Sequence, residues 1–421
     1  MACVGLLVAA HLAYGALLAE PSLLLTAGSA IIVLACVATP GLRRDLTRIR
    51  GLPLPALLFS FVLAWGVLSL TPWMPGGPHP TWAYLGLEPA AATLDKSATA
   101  LELIKLLGLA CIFAAGLASG ATDDRARTAL NALTLVAALI GLWAFLGFTT
   151  GVVIPTQRGR LDGHFLSPNT AGTFFAASLV LAVGLLARRM KGLSAVASLS
   201  AAPGLWSATL ILAVCLLLTA SRGAFLSAGV AFGAFLLLRF FGDQRLPSRN
   251  TVLSLLAILL VFAALFLFGE PLLARFATIE ADAAFRTETY KLHWQAFLAA
   301  PISGYGLGTF DTVHRTLLDA ASVPELWRTR ALHNVYIQWL EEAGVPGALA
   351  MFGAIGAITV IAARRGLRRS RMTLPLFALV SSNLVFLTHG VSDFALQTPS
   401  VAFFWSYLLG LQFALSQGSG R

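Results

Sequence analysis

The sequence predicts an all-α polytopic membrane protein, with about 12 transmembrane helices and a small helical cap on one face. Three observations carry that prediction. The 421-residue chain is 57% hydrophobic and only 11% charged, with a mean hydropathy of +0.81, whereas soluble domains carry about 25% charged residues. Apolar runs of about eighteen residues or more recur along the whole length, and no alternating strand pattern of a membrane barrel is visible. Basic residues crowd into alternate connections, as the positive-inside bias requires of a multi-pass chain.

The spans are placed at about 2–19, 22–39, 53–71, 97–118, 128–149, 168–187, 204–220, 223–240, 251–269, 334–362, 373–389 and 399–416. The first run lacks the basic start of a signal peptide and is read as a retained span. Cys3, Cys36, Cys111 and Cys215 all fall inside apolar runs. They show neither metal-ligand spacing nor a disulfide framework.

Orientation follows from the connections. Those at 41–51, 120–127, 187–192, 239–250 and 364–371, with Arg421, hold 18 of the 29 Lys and Arg, and of the nineteen acids only Asp45, Asp123, Asp124 and Asp243. Both termini are therefore expected in the cytoplasm. The net charge of +10 then reflects topology, and no nucleic-acid partner is expected.

Every stretch rich in chemistry falls on the opposite, outer face: 72–96, 156–169, the Ser-Arg-Gly turn at 221–223, 271–332 and 388–399. Arg222 stands between two apolar runs. A charge at the bilayer centre costs at least ~2.5 kcal/mol, so Arg222 is expected at the membrane surface with an anionic partner. The 62-residue segment 271–332 carries twelve charged residues and is too long for an ordinary connection. The domain reading is thus a bundle of spans 1–9 over 1–270, an outer helical loop over 271–332 carrying part of the active site, and spans 10–12 over 333–421.

Within that loop, residues 282–301 read as a helix ended by Pro301, with Arg286, Tyr290 and His293 on one face. The "GYGLGTF" that follows has no Walker lysine and no preceding strand, so it reads as a turn needing positive φ. His333 enters the next helix at the lipid–water boundary, where an imidazole titrates near neutral pH. From the residues alone it is either a structural hydrogen-bonder or a functional group. Asn334 either caps the helix or binds a ligand. Asn169 and Thr170 are cap candidates for the helix after 156–167. Glu102 and Lys105 read as a snorkelling ion pair.

Four patterns occur in order: Arg-x-x-Gly-x-Phe-x-x-Pro-Asn (160–169), Ser-Arg-Gly (221–223), an Arg-led helix running to Pro-x-x-Gly-x-Gly-x-Gly-x-Phe (286–310), and His-Asn-x-Tyr-x-x-x-Leu-x-Glu-x-Gly (333–344). Together they resemble the O-antigen ligase/polymerase superfamily of bacterial envelope glycosyltransferases, over about residues 150–350. The resemblance implies a metal-independent glycosyltransferase of the bacterial inner membrane whose active site faces the periplasm. Its donor is implied to be a glycan on undecaprenyl diphosphate. Carried over by motif, Arg222, Arg286 and Arg160 are expected on the diphosphate and His333 at the reacting atoms. Asn169, Tyr290, Asn334 and Tyr336 are expected as further substrate contacts.

The chemistry agrees with that assignment. A periplasmic enzyme has no nucleotide to spend, so the bond energy must arrive in the substrate, and no cofactor is expected. Guanidinium forks match the oxygens of a leaving diphosphate. No credible metal-ligand spacing appears among the outer loops, so no metal is expected. His333 is the first choice of general base, with Asp162, Glu280, Asp282, Glu288 and Asp393 as rivals. Attack by one hydroxyl inverts the anomeric centre. The expected function is O-antigen ligase, with lipid A–core as acceptor and membrane lipids around the bundle. An O-antigen polymerase or a protein O-oligosaccharyltransferase would use the same type of donor. A flippase would instead show internal repeats and ionisable residues near the midplane.

Overall fold

The computed structural model describes residues 1–47, 49–151, 159–165, 167–193, 195–243, 279–320 and 322–418. The expected span at 251–269 and the start of the outer loop, 271–278, lie outside the described residues. Among the described residues there is no strand.

The helices are α1 (Ala2–Leu12), α2 (Ala19–Ala38), α3 (Pro40–Thr47), α4 (Pro53–Ser69), α5 (Pro80–Leu85), α6 (Lys96–Gly120), α7 (Asp123–Thr150), α8 (Pro168–Arg189) and α9 (Ala195–Ala201). They continue as α10 (Pro203–Leu218), α11 (Arg222–Asp243), α12 (Ile279–Ala299), α13 (Phe310–Leu317), α14 (Val323–Leu326), α15 (Val335–Gly366), α16 (Thr373–His389) and α17 (Pro399–Ser416). Six of these, α2, α6, α7, α8, α11 and α15, are long and apolar enough to cross a membrane. The shorter α1, α4, α10 and α16 are also apolar.

Two expected spans are corrected. The run 2–19 is not one helix. α1 stops at Leu12, and the chain turns through Tyr14, Gly15 and Ala16, all at positive φ, before α2 begins. At 1.5 Å per residue α1 covers roughly half of a ~30 Å hydrocarbon core. The run 334–362 is helical from Val335 to Gly366 but broken at Gly344 (φ 65°, ψ −179°), two residues before Pro346. Proline has no N–H to give, so the helix must release carbonyls there.

Helix α8 is the centre of the bundle, packed by α7, α10, α11 and α16, and 89% of its most apolar window is buried. The tightest pair is α6 with α17. Side chains at Gly116 or Gly410 would run into the partner's backbone, at Tyr407 and Phe113 respectively. Glycine lets the two backbones touch, the route by which membrane helices gain dispersion energy without a hydrophobic drive between them. Asn383 links α16 to α17, donating to Gln412 (2.7 Å) and accepting from Trp405 Nε1 (3.0 Å).

The connections sort to two ends of the bundle. At one end Arg369 pairs with Asp123, Arg125 pairs with Asp45, and Gln417 donates to the Arg50 carbonyl. At the other end the chemistry-bearing stretches meet.

Candidate active site

The Ser-Arg-Gly turn is built for close contact. Ser221 Oγ accepts from Ala224 N (3.4 Å), capping α11. Arg222 opens that helix and is partly exposed. Gly223 has no side chain because the His389 ring lies against it, and a Cβ there would be 2.7 Å from Nε2. That imidazole is buried and fixed from behind, Nδ1 to Thr173 Oγ1 at 2.7 Å. The same Cβ would stand 3.0 Å from Ser392 Oγ, so the turn after α16 packs on Arg222's own turn.

His333 sits across this turn, partly exposed, its ring edge-on to Phe394 at 4.8 Å. Its Nδ1 lies 3.8 Å from Asp393 Oδ1, a charge-pair distance rather than a hydrogen bond. The Asp393 carboxyl is buried and pushed up to about 7 by desolvation. The N–H groups of Phe394 and Ala395 and the charge of Arg286 oppose that rise. The same arginine acts on Tyr290, whose hydroxyl is pushed up mainly by burial. Arg222, Arg286, His333, Asp393 and His389 therefore form one cluster at one end of the bundle.

Several expected substrate contacts turn out to hold the backbone. Arg160 is 5% exposed; its Nε donates to the Thr219 carbonyl (2.8 Å) and its Nη2 to Asn169 Oδ1 (2.8 Å). It thereby stitches the 159–165 loop to the Ser-Arg-Gly turn, reinforced by Leu161 N to the Leu218 carbonyl at 2.8 Å. Tyr290 donates to the His333 carbonyl, and Tyr336 donates to the Leu387 carbonyl at 2.6 Å. Asn334 Oδ1 accepts from Tyr336 N and Ile337 N, so it is the cap of α15. At α8 the cap is Ser167, not Asn169 or Thr170. Sequence cannot say which face a polar side chain uses; backbone carbonyls freed at helix ends claim these.

The glycine-rich turn is a splice, not a phosphate cradle. Gly304, Gly306 and Gly308 all have positive φ. The carbonyls of Glu341 and Glu342, released at the α15 break, accept from Tyr305 N and Gly306 N at 2.9 Å each. Val345 N turns to the Pro301 carbonyl (2.9 Å). The carbonyls released at the break and the Val345 N–H are thus satisfied, and Trp65 Nε1 donates to the Ala343 carbonyl (2.9 Å).

Of the rival bases whose side chains are described, Asp393 is the one that joins His333. Asp162 is buried and Glu288 exposed; the side chains of Glu280 and Asp282 lie outside the described residues. Among the described residues no three His, Cys, Asp or Glu side chains could hold a metal ion. An apolar cavity of about 330 Å³ runs between α4, α6, α15 and α17. Val335, Leu396 and Gln397 line it and flank His333 and Asp393 in the chain. The Glu102–Lys105 ion pair (2.7 Å) stands in its wall.

The family model described as O-Antigen ligase matches residues 207–352. The match takes in Ser-Arg-Gly, Arg286, the glycine-rich turn and His333; it ends before His389 and Asp393. No curated protein matches the chain. The match and the helical architecture together support an activity of the O-antigen ligase/polymerase kind. Sequence reasoning missed His389 and Thr173, because residues 216 apart carry no local pattern that joins them.

Proposed function

We propose that the chain is a periplasm-facing O-antigen ligase, moving a glycan from undecaprenyl diphosphate to a sugar hydroxyl of lipid A–core. The observation that carries this reading is the meeting of two arginines with a His–Asp pair at one end of the bundle. Arg222 lies at the N-terminus of α11, where the helix dipole adds to its charge. Arg222 and Arg286 grip the diphosphate and stabilise the charge that develops as the glycosidic bond breaks. His333 Nε2 takes the acceptor hydroxyl's proton as that oxygen attacks the anomeric carbon. The bond pair of the departing C–O bond goes to the diphosphate. Asp393, facing Nδ1, favours the tautomer with Nε2 bare and steadies the imidazolium that results. Arg160, Asn169, Tyr290, Asn334 and Tyr336 position these groups. The apolar cavity beside the site suits the lipid chain of such a donor.

A transfer assay with purified protein and undecaprenyl-diphosphate-linked glycan tests the reading. Product on lipid A–core is expected. Product only on a second lipid-linked glycan makes the protein a polymerase, and product only on an acceptor protein makes it a protein transferase.

Two further outcomes are expected. Asp393→Asn slows transfer by about 10²–10⁴-fold without weakening donor binding, since it removes the carboxylate that orients the catalytic imidazole. The Asp393 pKa is raised to about 7, so the anion is lost as pH falls through that value. The wild-type rate should therefore fall on the acid side of about 7, and Asp393→Asn should shift that limb without abolishing it, since the base itself still gains a proton in acid. For topology, cysteines replacing Tyr84 (90% exposed) and Glu288 should react with an impermeant thiol reagent in intact spheroplasts. Cysteines replacing Asp124 and Leu193 should react only after lysis; reaction without lysis reverses the orientation.

A further inference from the structure

Below the site lies a second cluster that this chemistry does not use. His293 on α12 is fully buried, with Nδ1 at 2.7 Å from Glu341 Oε2 of α15 and Nε2 at 2.9 Å from His314 Nδ1 of α13. His314 Nε2 is in turn 2.9 Å from the Leu326 carbonyl. Phe310 stacks on His293 at 4.6 Å, and both imidazoles and the Glu341 carboxyl are sealed from solvent.

The chain of four groups has a direction, and its last member sets it. A carbonyl oxygen only accepts, so His314 Nε2 must carry the hydrogen. Neutral His314 then has a bare Nδ1, which must accept, so His293 Nε2 carries a hydrogen too. Burial lowers both imidazoles, His293 to about 4, so each is neutral near pH 7. A neutral His293 with its hydrogen on Nε2 has a bare Nδ1, and the Glu341 oxygen facing it must donate. The cluster thus holds one proton between Glu341 and His293 and is neutral overall. Losing that proton leaves a buried negative charge, which a dry site resists.

The cluster also has a lever arm. His293 lies on the same helix as Tyr290 and Arg286, one and two turns away on one face. Glu341 lies on the helix that His333 enters. From these observations we infer that the protonated Glu341–His293–His314 latch is a positioning device, holding the Arg286 helix in register with His333 for donor binding. The inference rests on the diphosphate role proposed above for Arg286. The charged and titratable neighbours are Glu342 and Tyr305 beside Glu341, and Asp311 and Arg315 near His314. Glu342 is engaged separately, accepting from Gln338 Nε2 and Gly308 N.

The test measures binding of undecaprenyl diphosphate to the full chain in detergent, across pH, for the wild type and four variants. Arg286→Ala should weaken binding about ten- to a hundredfold, the worth of a charged hydrogen bond. His293→Ala should weaken it comparably, and the double variant should be no weaker than Arg286→Ala alone, because both remove one contact. Glu341→Gln donates from its amide without a titrating proton, so it should bind as the wild type does. The wild type should lose affinity on the alkaline side as the latch proton leaves, and Glu341→Gln should not. Glu341→Ala should resemble His293→Ala. If Arg286→Ala binds normally, the reading of the site falls and the latch role with it. If Arg286→Ala binds weakly but the double variant multiplies the two losses, or Glu341→Gln binds as poorly as Glu341→Ala, the latch alone is overturned. Glu341→Gln keeps the side chain's shape, so its result stands even if His293→Ala does not fold.

Discussion

His333→Ala should lower the single-turnover transfer rate by about 10²–10⁴-fold, the usual worth of a positioned general base, while donor binding stays near normal. The position of the imidazole decides this. It is partly exposed, so a substrate can reach it, whereas His389, 2% exposed and bonded to Thr173, cannot be approached. Its Nδ1 faces Asp393, so Nε2 is the nitrogen assigned to the acceptor hydroxyl. A diphosphate on the arginines of α11 and α12, as proposed, should not sense the loss. Donor affinity measured beside the chemical step with pre-bound donor separates the two roles. A His333→Ala protein that loses donor binding and keeps its chemical rate would make His333 a phosphate ligand, and the base would have to be sought elsewhere.

Much of the fold was legible because hydropathy is a local property. Each apolar run reports its own need for lipid or core, and the helices at α2, α6, α7, α8 and α11 lie within a few residues of the expected spans. The breaks were not legible. Nothing in "AHLAYGALLAE" forces positive φ at Tyr14 and Ala16; that turn is set by Gly15 packing against Thr398, far along the chain. The break at Gly344 was hinted at by Pro346, but its partner, the glycine-rich turn, became evident only from the carbonyls it satisfies.

At the candidate site, Arg222, Arg286 and His333 could be picked out because each stands in a short ordered motif. Asp393 was visible as a carboxylate in an expected outer connection but not as the neighbour of His333, sixty residues earlier. The latch was less legible still. His293 was placed on the Arg286 face, yet its neighbours Glu341 and His314 come from two other helices. Arg160 shows what a motif leaves out. A motif arginine looks like a phosphate ligand, but the carbonyls at the end of α10 have first claim on it.

Arg222→Lys should weaken donor binding and transfer by about ten- to a hundredfold, because lysine keeps the charge and loses the second parallel hydrogen bond of the guanidinium fork. Arg222→Ala should be weaker again, since it also removes the charge from a site the α11 dipole only partly serves. Folding should survive both changes. The side chain is partly exposed, and the Ser221 cap, the Arg160 clamp and the seat of Gly223 on His389 all hold the turn. Gly223→Ala is the contrasting variant. It leaves Arg222 in place but puts a methyl 2.7 Å from the His389 ring, so it should disturb the turn and lower thermal stability as well as transfer. Binding of undecaprenyl diphosphate, single-turnover rate and melting temperature, measured together, tell loss of a phosphate contact from loss of the turn. Arg222→Lys with wild-type affinity and rate would remove Arg222 from the diphosphate and leave the charge at that turn without the anionic partner assigned to it.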